Sequence, residues 1–293
     1  MKHTRRIPFI TFILMAMATF SARAQQMEPI VTDRPDQTES ASIVPAGWLQ
    51  IEAGFLQESL AQRARALDGT THDDALSGTS MQMPGMLLRF GVTEVMELRL
   101  GTAWVHEEFD RDLAIYDPTN RGNVAETFEL GGLSPLSLGL KALLFSEQGW
   151  IPQTAVLASV SIPGTSSEDF DQSFLGQEFR LAFAHTLSER LSLGYNLGVS
   201  NDESAVAHTG FYSLALGAGV TDALGLFVEI FGDLPGDAPP VHKFDAGATW
   251  LLSPDLQLDA SGGFTFAEDE NGTHLRMEHF ISAGVSWRFR IRN

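Results

Sequence analysis

The chain has no cysteine among its 293 residues. That removes disulfides, thiolate nucleophiles and cysteine-ligated metals. Basic residues are scarce: 19 Lys and Arg face 37 Asp and Glu, a formal charge of −18. This balance argues against a partner that is held through phosphate contacts, and so against nucleic acid. After the first 24 residues no apolar run reaches the roughly 20 residues that a transmembrane helix needs. No helical periodicity of useful length appears there either. A G-x-S-x-G elbow, a phosphate loop, a dinucleotide fingerprint and metal-ligand spacing are all missing. No catalytic, cofactor-binding or metal-binding residue is assigned, and no cofactor is implied.

The N-terminus reads as a secretory signal. Lys2, Arg5 and Arg6 form its basic start, Ile7 to Phe20 its apolar stretch, and Ala22-Arg23-Ala24 its cleavage site. The alternative is an uncleaved anchor, for which the apolar stretch is short. Removing residues 1–24 takes away four basic residues and no acidic one, leaving 15 against 37, formally −22.

Beyond the signal, apolar and polar residues alternate with a period of two in twelve segments. These are 49–55, 86–90, 96–104, 136–144, 152–162, 179–183, 191–199, 212–220, 224–230, 244–252, 256–264 and 281–289. Successive residues of a strand point to opposite faces. Leu191, Leu193, Tyr195, Leu197 and Val199 therefore share one face, and Ser192, Gly194, Asn196, Gly198 and Ser200 the other. In 152–162 the two faces are ambiguous.

A soluble β-sandwich could show the same alternation. Three features favour a membrane barrel. The connections alternate between short (91–95, 146–151, 188–190, 221–223, 253–255) and longer (59–79, 106–131, 163–174, 201–208, 234–241, 267–276), as periplasmic turns and external loops do. Trp104, Trp250 and Trp287 fall on the apolar face near segment ends, where an interfacial girdle belongs. The segment count is even. The expected fold is all-β: a twelve-stranded, up-and-down antiparallel transmembrane barrel over 47–293, with a signal at 1–24 and a periplasmic or plug segment at 25–46.

Parity then assigns the interior. Glu52, Arg89, Glu97, Arg99, Lys141, Glu178, Arg180, Glu229, Lys243, Asp245, Asp259, Glu278 and Arg288 point inward, with the rings of Phe211, Phe227, Phe231 and Phe280. Arg or Lys facing lipid at mid-depth would cost about 2–4 kcal/mol. The inward charges either satisfy one another or line a polar solute path. Arg89, Glu97 and Arg99 are the best cluster, since a tight turn joins their segments. Phe227 and Phe231 are candidates for adsorbing an aromatic or hydrophobic solute, or they pack against an inserted segment.

Ahead of the first strand lies Thr32-Asp33-Arg34-Pro35-Asp36-Gln37-Thr38-Glu39-Ser40. Pro35 and the polar content argue against a strand. Asp33, Arg34, Asp36 and Glu39 can pair with opposite charges, so the segment is expected to enter the lumen and plug or narrow it; a periplasmic tail is the alternative. Acidic clusters at Glu107, Glu108, Asp110 and Asp112, at Glu168, Asp169 and Asp171, and at Glu268, Asp269 and Glu270 read as a solvated external rim. Without a calcium-loop spacing they are not assigned a metal.

This N-terminal stretch, followed by Pro45-Ala46-Gly47-Trp48-Leu49-Gln50-Ile51-Glu52-Ala53-Gly54-Phe55, resembles the outer-membrane barrel family of meta-pathway phenol-degradation proteins, whose members are often labelled transporters. Leu88-Arg89-Phe90-Gly91, Glu97-Leu98-Arg99 and Gln257-Leu258-Asp259 also match, and the resemblance spans most of the mature chain. It implies an outer-membrane barrel and uptake of aromatic or other hydrophobic compounds. One departure is the C-terminus, where Phe289 is followed by Arg290-Ile291-Arg292-Asn293 rather than ending the chain.

Barrel lipases use a Ser/His pair oriented by a third group. His185, His208, His242 and His279 lack a persuasive serine partner, so an enzyme is not expected. The expected function is passive transfer of small hydrophobic or aromatic solutes across the outer membrane. A structural or adhesive barrel is the alternative, and a lipase a distant third. Expected partners are outer-membrane lipid, lipopolysaccharide, the barrel-assembly machinery and a small-molecule solute. The mass of the exported protein checks the leader: it should begin at Gln25, and retention of residues 1–24 would contradict the signal reading.

Overall fold

The computed structural model describes residues 28–65, 71–112, 125–201, 208–236, 238–267 and 275–291. The signal and the acidic cluster at 268–270 lie outside them. The strands are β1 (Trp48–Arg65), β2 (Thr71–Thr93), β3 (Met96–Asp112), β4 (Ala125–Leu133), β5 (Leu136–Phe145), β6 (Gln153–Ile162), β7 (Gly176–Thr186), β8 (Leu191–Asn201), β9 (His208–Gly219), β10 (Leu224–Pro235), β11 (Val241–Ser253), β12 (Leu256–Ala267) and β13 (Arg276–Arg290). All pairings are antiparallel, and β1 pairs with β13 to close the cylinder.

β4 and β5 share one wall position. Both pair with β3 in succession, with a break at Ser134 and Pro135. Proline has no N–H for the ladder. The Ser134 N–H donates to the Ala103 carbonyl, and the Ala103 N–H to Ser134 Oγ, which keeps the broken strand attached. The wall is thus a closed barrel of twelve positions.

Burial decides between a membrane barrel and a soluble sandwich. The largest fully buried side chains are polar: Arg89, Lys141, Gln50, Glu52, Glu97 and Glu229. Leu98, Leu138, Leu197, Val228 and Ile281 are exposed, as are Trp104, Trp250 and Trp287. A soluble core does not bury ions and expose leucine in this way. Lipid covers the outer face, and the ionic face is enclosed.

The strands overrun the sequence expectation on one side. Positions 59–79 and 106–131, expected as loops, are largely strand: β1 reaches Arg65, β2 starts at Thr71, β3 reaches Asp112 and β4 starts at Ala125. Backbone pairing continues past the girdle marked by Trp104, where no lipid imposes an apolar face. The period-two signal fades there although the ladder does not. Glu107, Glu108 and Asp110 therefore sit on a strand, not on a loop. Asp169 and Asp171 accept backbone N–H groups from Gly131 and Gly164. Among the described residues no group of three or more His, Cys, Asp or Glu is placed to hold a metal ion.

The ambiguous fifth segment is resolved by register. Leu157 pairs with Lys141 and Arg180, so it faces inward. It is buried against Ala41, Ala155 and Ala182. An apolar inward residue is tolerated because the N-terminal segment covers it.

A recurring device lets aromatic rings lie against the inner wall. Phe211 stands opposite Gly198, Phe227 opposite Gly247, and Phe280 opposite Gly263. In each pair a Cβ on the glycine would collide with the ring. The ring covers the gap that the glycine leaves, a pairing that suits a curved sheet. Gly247→Val should push Phe227 off the wall and lower stability by about 1–3 kcal/mol. Gly131→Ala, where the nearest atom is 3.7 Å away, should be neutral. Urea midpoints of the heat-modifiable folded band measure both; equal midpoints would refute the covering role.

Candidate functional site

Residues 28–46 lie against the inner face of the barrel and make a circuit of it. Near the periplasmic end the Ile30 N–H donates to Pro254, and Gln257 to Thr32. Arg34 reaches β12 and β13. The Gln37 N–H and the Thr38 hydroxyl donate to Glu229 of β10, at 2.8 and 2.6 Å. Thr38 also bonds Ser213 of β9. The Glu39 N–H donates to Asn196 of β8. The Val44 N–H donates to Glu97 of β3. Gly47, at φ 79, turns the chain into β1. These backbone donors have no ladder of their own, and buried donors need acceptors. Inward carboxylates, Asn196 and the Pro254 carbonyl supply them.

Asp33 is the centre of the contacts. Its carboxylate receives Lys141 Nζ at 3.1 Å, Arg89 Nη1 at 3.0 Å and Arg99 Nη1. It also accepts the Ser40 N–H and hydroxyl at 2.9 and 2.7 Å. Its own N–H donates to Glu52 at 3.0 Å. Arg89 is fully buried and uses its whole fork: Nε to Glu97 at 2.8 Å, Nη1 to Glu52 at 3.0 Å, and Nη2 to the Ser42 carbonyl at 3.1 Å. Arg99 grips both oxygens of Glu39 at 2.8 Å. A planar fork on carboxylates is the strong geometry for such pairs.

Burial alone would raise the Asp33 pKa, but Arg89, Lys141 and Arg99 overcome it and hold the carboxyl well below its usual range. Burial pushes Glu39 up to about 7, against the pull of Arg99. Burial and the neighbouring Glu229 push Asp36 well above its usual range.

The candidate residues thus fall into separate groups. Asp33, Glu39, Glu52, Arg89, Glu97, Arg99 and Lys141 form one network. Arg180 bonds Glu178 at 3.1 Å and the Gln37 carbonyl at 3.1 Å, and its guanidinium lies 4.6 Å from the Phe211 ring centre. Arg34 pairs with Asp259 at 3.3 Å. Asp36 lies in the field of Glu229 and Asp245. Phe231 joins Phe280 and Met277, with Leu56 and Leu60 packed against them. Phe227 is not in that cluster; it covers Gly247.

Sequence reasoning missed Gln50, Asn196, Ser213 and Ser282, each bonded to the segment. It also missed Gly54 and Gly284, against which Arg34 lies. Only Asn196 carried a signal, as the one amide on a strand face otherwise made of serine and glycine.

The family described as "Putative MetA-pathway of phenol degradation" matches residues 32–289. The chain belongs to this family. The match begins at Thr32, inside the lumen segment, and ends at Phe289 in β13, so the family pattern includes the segment as well as the wall. The crystal structure of an outer membrane channel from Pseudomonas putida F1 is similar at a TM-score of 0.61 and 15% identity, over 85% of this chain and 98% of that one. Looser likenesses are a TodX deltaS2S3 mutant monoaromatic hydrocarbon channel (TM-score 0.48, 12% identity, 84% and 91% covered) and the CymD monoaromatic hydrocarbon channel (0.42, 9%, 85% and 90%). A comparison with curated proteins finds no match. At 15% identity the Pseudomonas putida F1 channel shows the fold alone: the β-barrel of an outer membrane protein.

Removing Asp33 leaves three buried cations short of a shared partner. Breaking a buried pair costs about 3–5 kcal/mol. Asp33→Ala should therefore lower the urea midpoint of the folded barrel markedly, while Asp222→Ala, in an exposed turn, should not. Matching midpoints would show that the network does not hold the fold.

Proposed function

We propose that the protein passively transfers small hydrophobic solutes, aromatic ones among them, across the outer membrane, and that it is not an enzyme. The observation that carries this reading is the apolar cluster of Phe231, Met277, Phe280, Leu56 and Leu60 inside a lumen whose largest fully buried side chains are polar. It lies beside a cavity of about 140 Å³ bounded by Leu56, Gln82, Phe280 and the segment residues Arg34 to Gln37. A ring can be desolvated there, with cations at hand: Arg34 lines the cavity, and Lys243 Nζ sits 5.6 Å from the Phe231 ring centre, paired with Asp233 at 2.7 Å. The titles of the TodX and CymD structures name monoaromatic hydrocarbon channels, which accords with this substrate class.

The route we propose leaves through the wall rather than along the lumen, which the segment occupies. A second cavity of about 340 Å³ is bounded by inward Glu52, Gln82 and Leu87, and also by Met86, Thr102 and Pro135 of the wall. It sits where two pairings of β3 are irregular at once: the register with β2 shifts between Gln82 and Gly85, and Ser134 and Pro135 interrupt its other side. A hydrophobic solute would leave towards lipid there. The segment acts as a plug against water-soluble solutes. Signal cleavage, contact with lipopolysaccharide and assembly by the barrel-assembly machinery belong to the same reading.

The occupied lumen also favours a second reading, a structural or adhesive barrel that passes nothing. Proteoliposomes separate the two. The transfer reading expects no swelling in sugars beyond that of empty vesicles, and uptake of a fluorescent aromatic hydrocarbon that falls several-fold in Phe231→Ala with Phe280→Ala. Sugar permeation would overturn the plug. Absence of hydrocarbon uptake would leave the structural reading in its place.

A further inference from the structure

Two adjacent residues of the segment reach opposite sides of the line where the barrel closes. Asp33 contacts β1 through its N–H to Glu52, and β2, β3 and β5 through Arg89, Arg99 and Lys141. Arg34 contacts the other end of the chain: Nη2 donates to Ser282 of β13 at 2.8 Å and to Asp259 of β12 at 3.3 Å. Between them runs the β1–β13 seam, which no turn joins; backbone pairing holds it, with the Ser282 hydroxyl donating to the Phe55 carbonyl and Phe280 and Met277 packing against Leu56 and Leu60.

The wall is cut to receive the guanidinium. Gly54 of β1 and Gly284 of β13 are register partners across the seam, and Asp259 of β12 stands opposite Gly284. A Cβ on either glycine would overlap the Arg34 side chain. The groove therefore exists only when β1 and β13 are paired in this register. A slip of two residues, the smallest that leaves every inward face inward, would set Ser282 or Ser286 opposite Gly54 and bring its side chain under the guanidinium. The groove is polar where Arg34 enters it: the Asp259 side chain is fully buried, and the Arg34 side chain keeps 21% of its exposure.

We propose that Asp33 and Arg34 form a clasp that sets the register of the closing seam, so that the barrel closes on the segment rather than admitting it afterwards. First and last strands are distant in sequence, and bringing them together carries the loop-closure cost of nearly the whole chain. An inward ligand bound to both sides offsets that cost and rejects slipped registers. The inference does not depend on what solute is transferred.

The absence of native cysteine makes the test clean. Ala53 and Val285 are register partners across the seam, on the outer face. In an Ala53→Cys, Val285→Cys chain refolded from urea into detergent, quenching by oxidation at timed intervals reports in-register closure. With Arg34 present the cross-linked fraction should approach completion. Arg34→Ala should slow its appearance by roughly tenfold, the rate equivalent of about 1.4 kcal/mol, and lower the final yield. Thr38→Val loosens the segment at β9 and β10, away from the seam, and should close at the parental rate. If Arg34→Ala forms no barrel at all, Arg34→Lys decides: it keeps the charge without the fork, and slowed closure supports the clasp. Parental closure in both Arg34 variants, or in Arg34→Lys alone where Arg34→Ala does not fold, overturns it. So does equal slowing by Thr38→Val.

Discussion

The structure depends on one carboxylate. Asp33 is the point at which Arg89, Arg99 and Lys141, from three different strands, find a shared counter-charge. Without an acid at their centre these three buried cations would be compensated only in part, and an unpaired buried charge is among the costliest defects a fold can hold. The wall supplies Glu52 and Glu97, but the remaining valence comes from the segment. Wall and segment are therefore one folding unit, although the segment contributes no strand.

This arrangement explains the chemistry of the inner wall. Side chains of a twelve-position barrel do not fill its interior by themselves, since the lumen lies between the filled eight-stranded and the open sixteen-stranded cases. The segment takes the middle depth, and the residues facing it are the donors and acceptors its backbone lacks. Towards the external side, beyond the segment, the wall changes character. Phe211 and Phe280 lie over cross-strand glycines, and Phe231 and Phe280 form a small apolar floor. Polar occupancy at mid-depth and an apolar recess beside it are the features on which the proposed transfer of hydrophobic solutes rests.

The strand faces were legible from the residues because lipid and lumen impose opposite demands on alternate positions. Leu98 and Arg99 could not exchange places without a charge entering lipid. The same logic failed beyond Trp104, where Val105 and Phe109 are buried on the inner face of β3 while Glu108 and Asp110 are exposed on the outer one, so lipid no longer sets the pattern. It also failed for Leu157, an inward leucine whose apolar partner Ala41 comes from outside the wall. Which inward charges meet could not be read from pattern alone. Glu97 lies opposite Lys141, and Gly54 opposite Gly284, only by virtue of register. Register is a property of the closed sheet and is invisible to a period. Asp33 and Arg34 stood out as charges beside a proline in a non-strand stretch, but nothing local marked them as facing different sides of the seam.

The central claim is that residues 32–44 are held inside the barrel by the wall. Hydrogen exchange on the native chain in detergent tests it most directly, since the N–H groups of Asp33, Gln37, Glu39, Ser40 and Val44 all donate to side-chain acceptors. These amides should be protected on the timescale of strand amides in β1 and β13. Exchange of the whole stretch at the rate of a free peptide would contradict the claim.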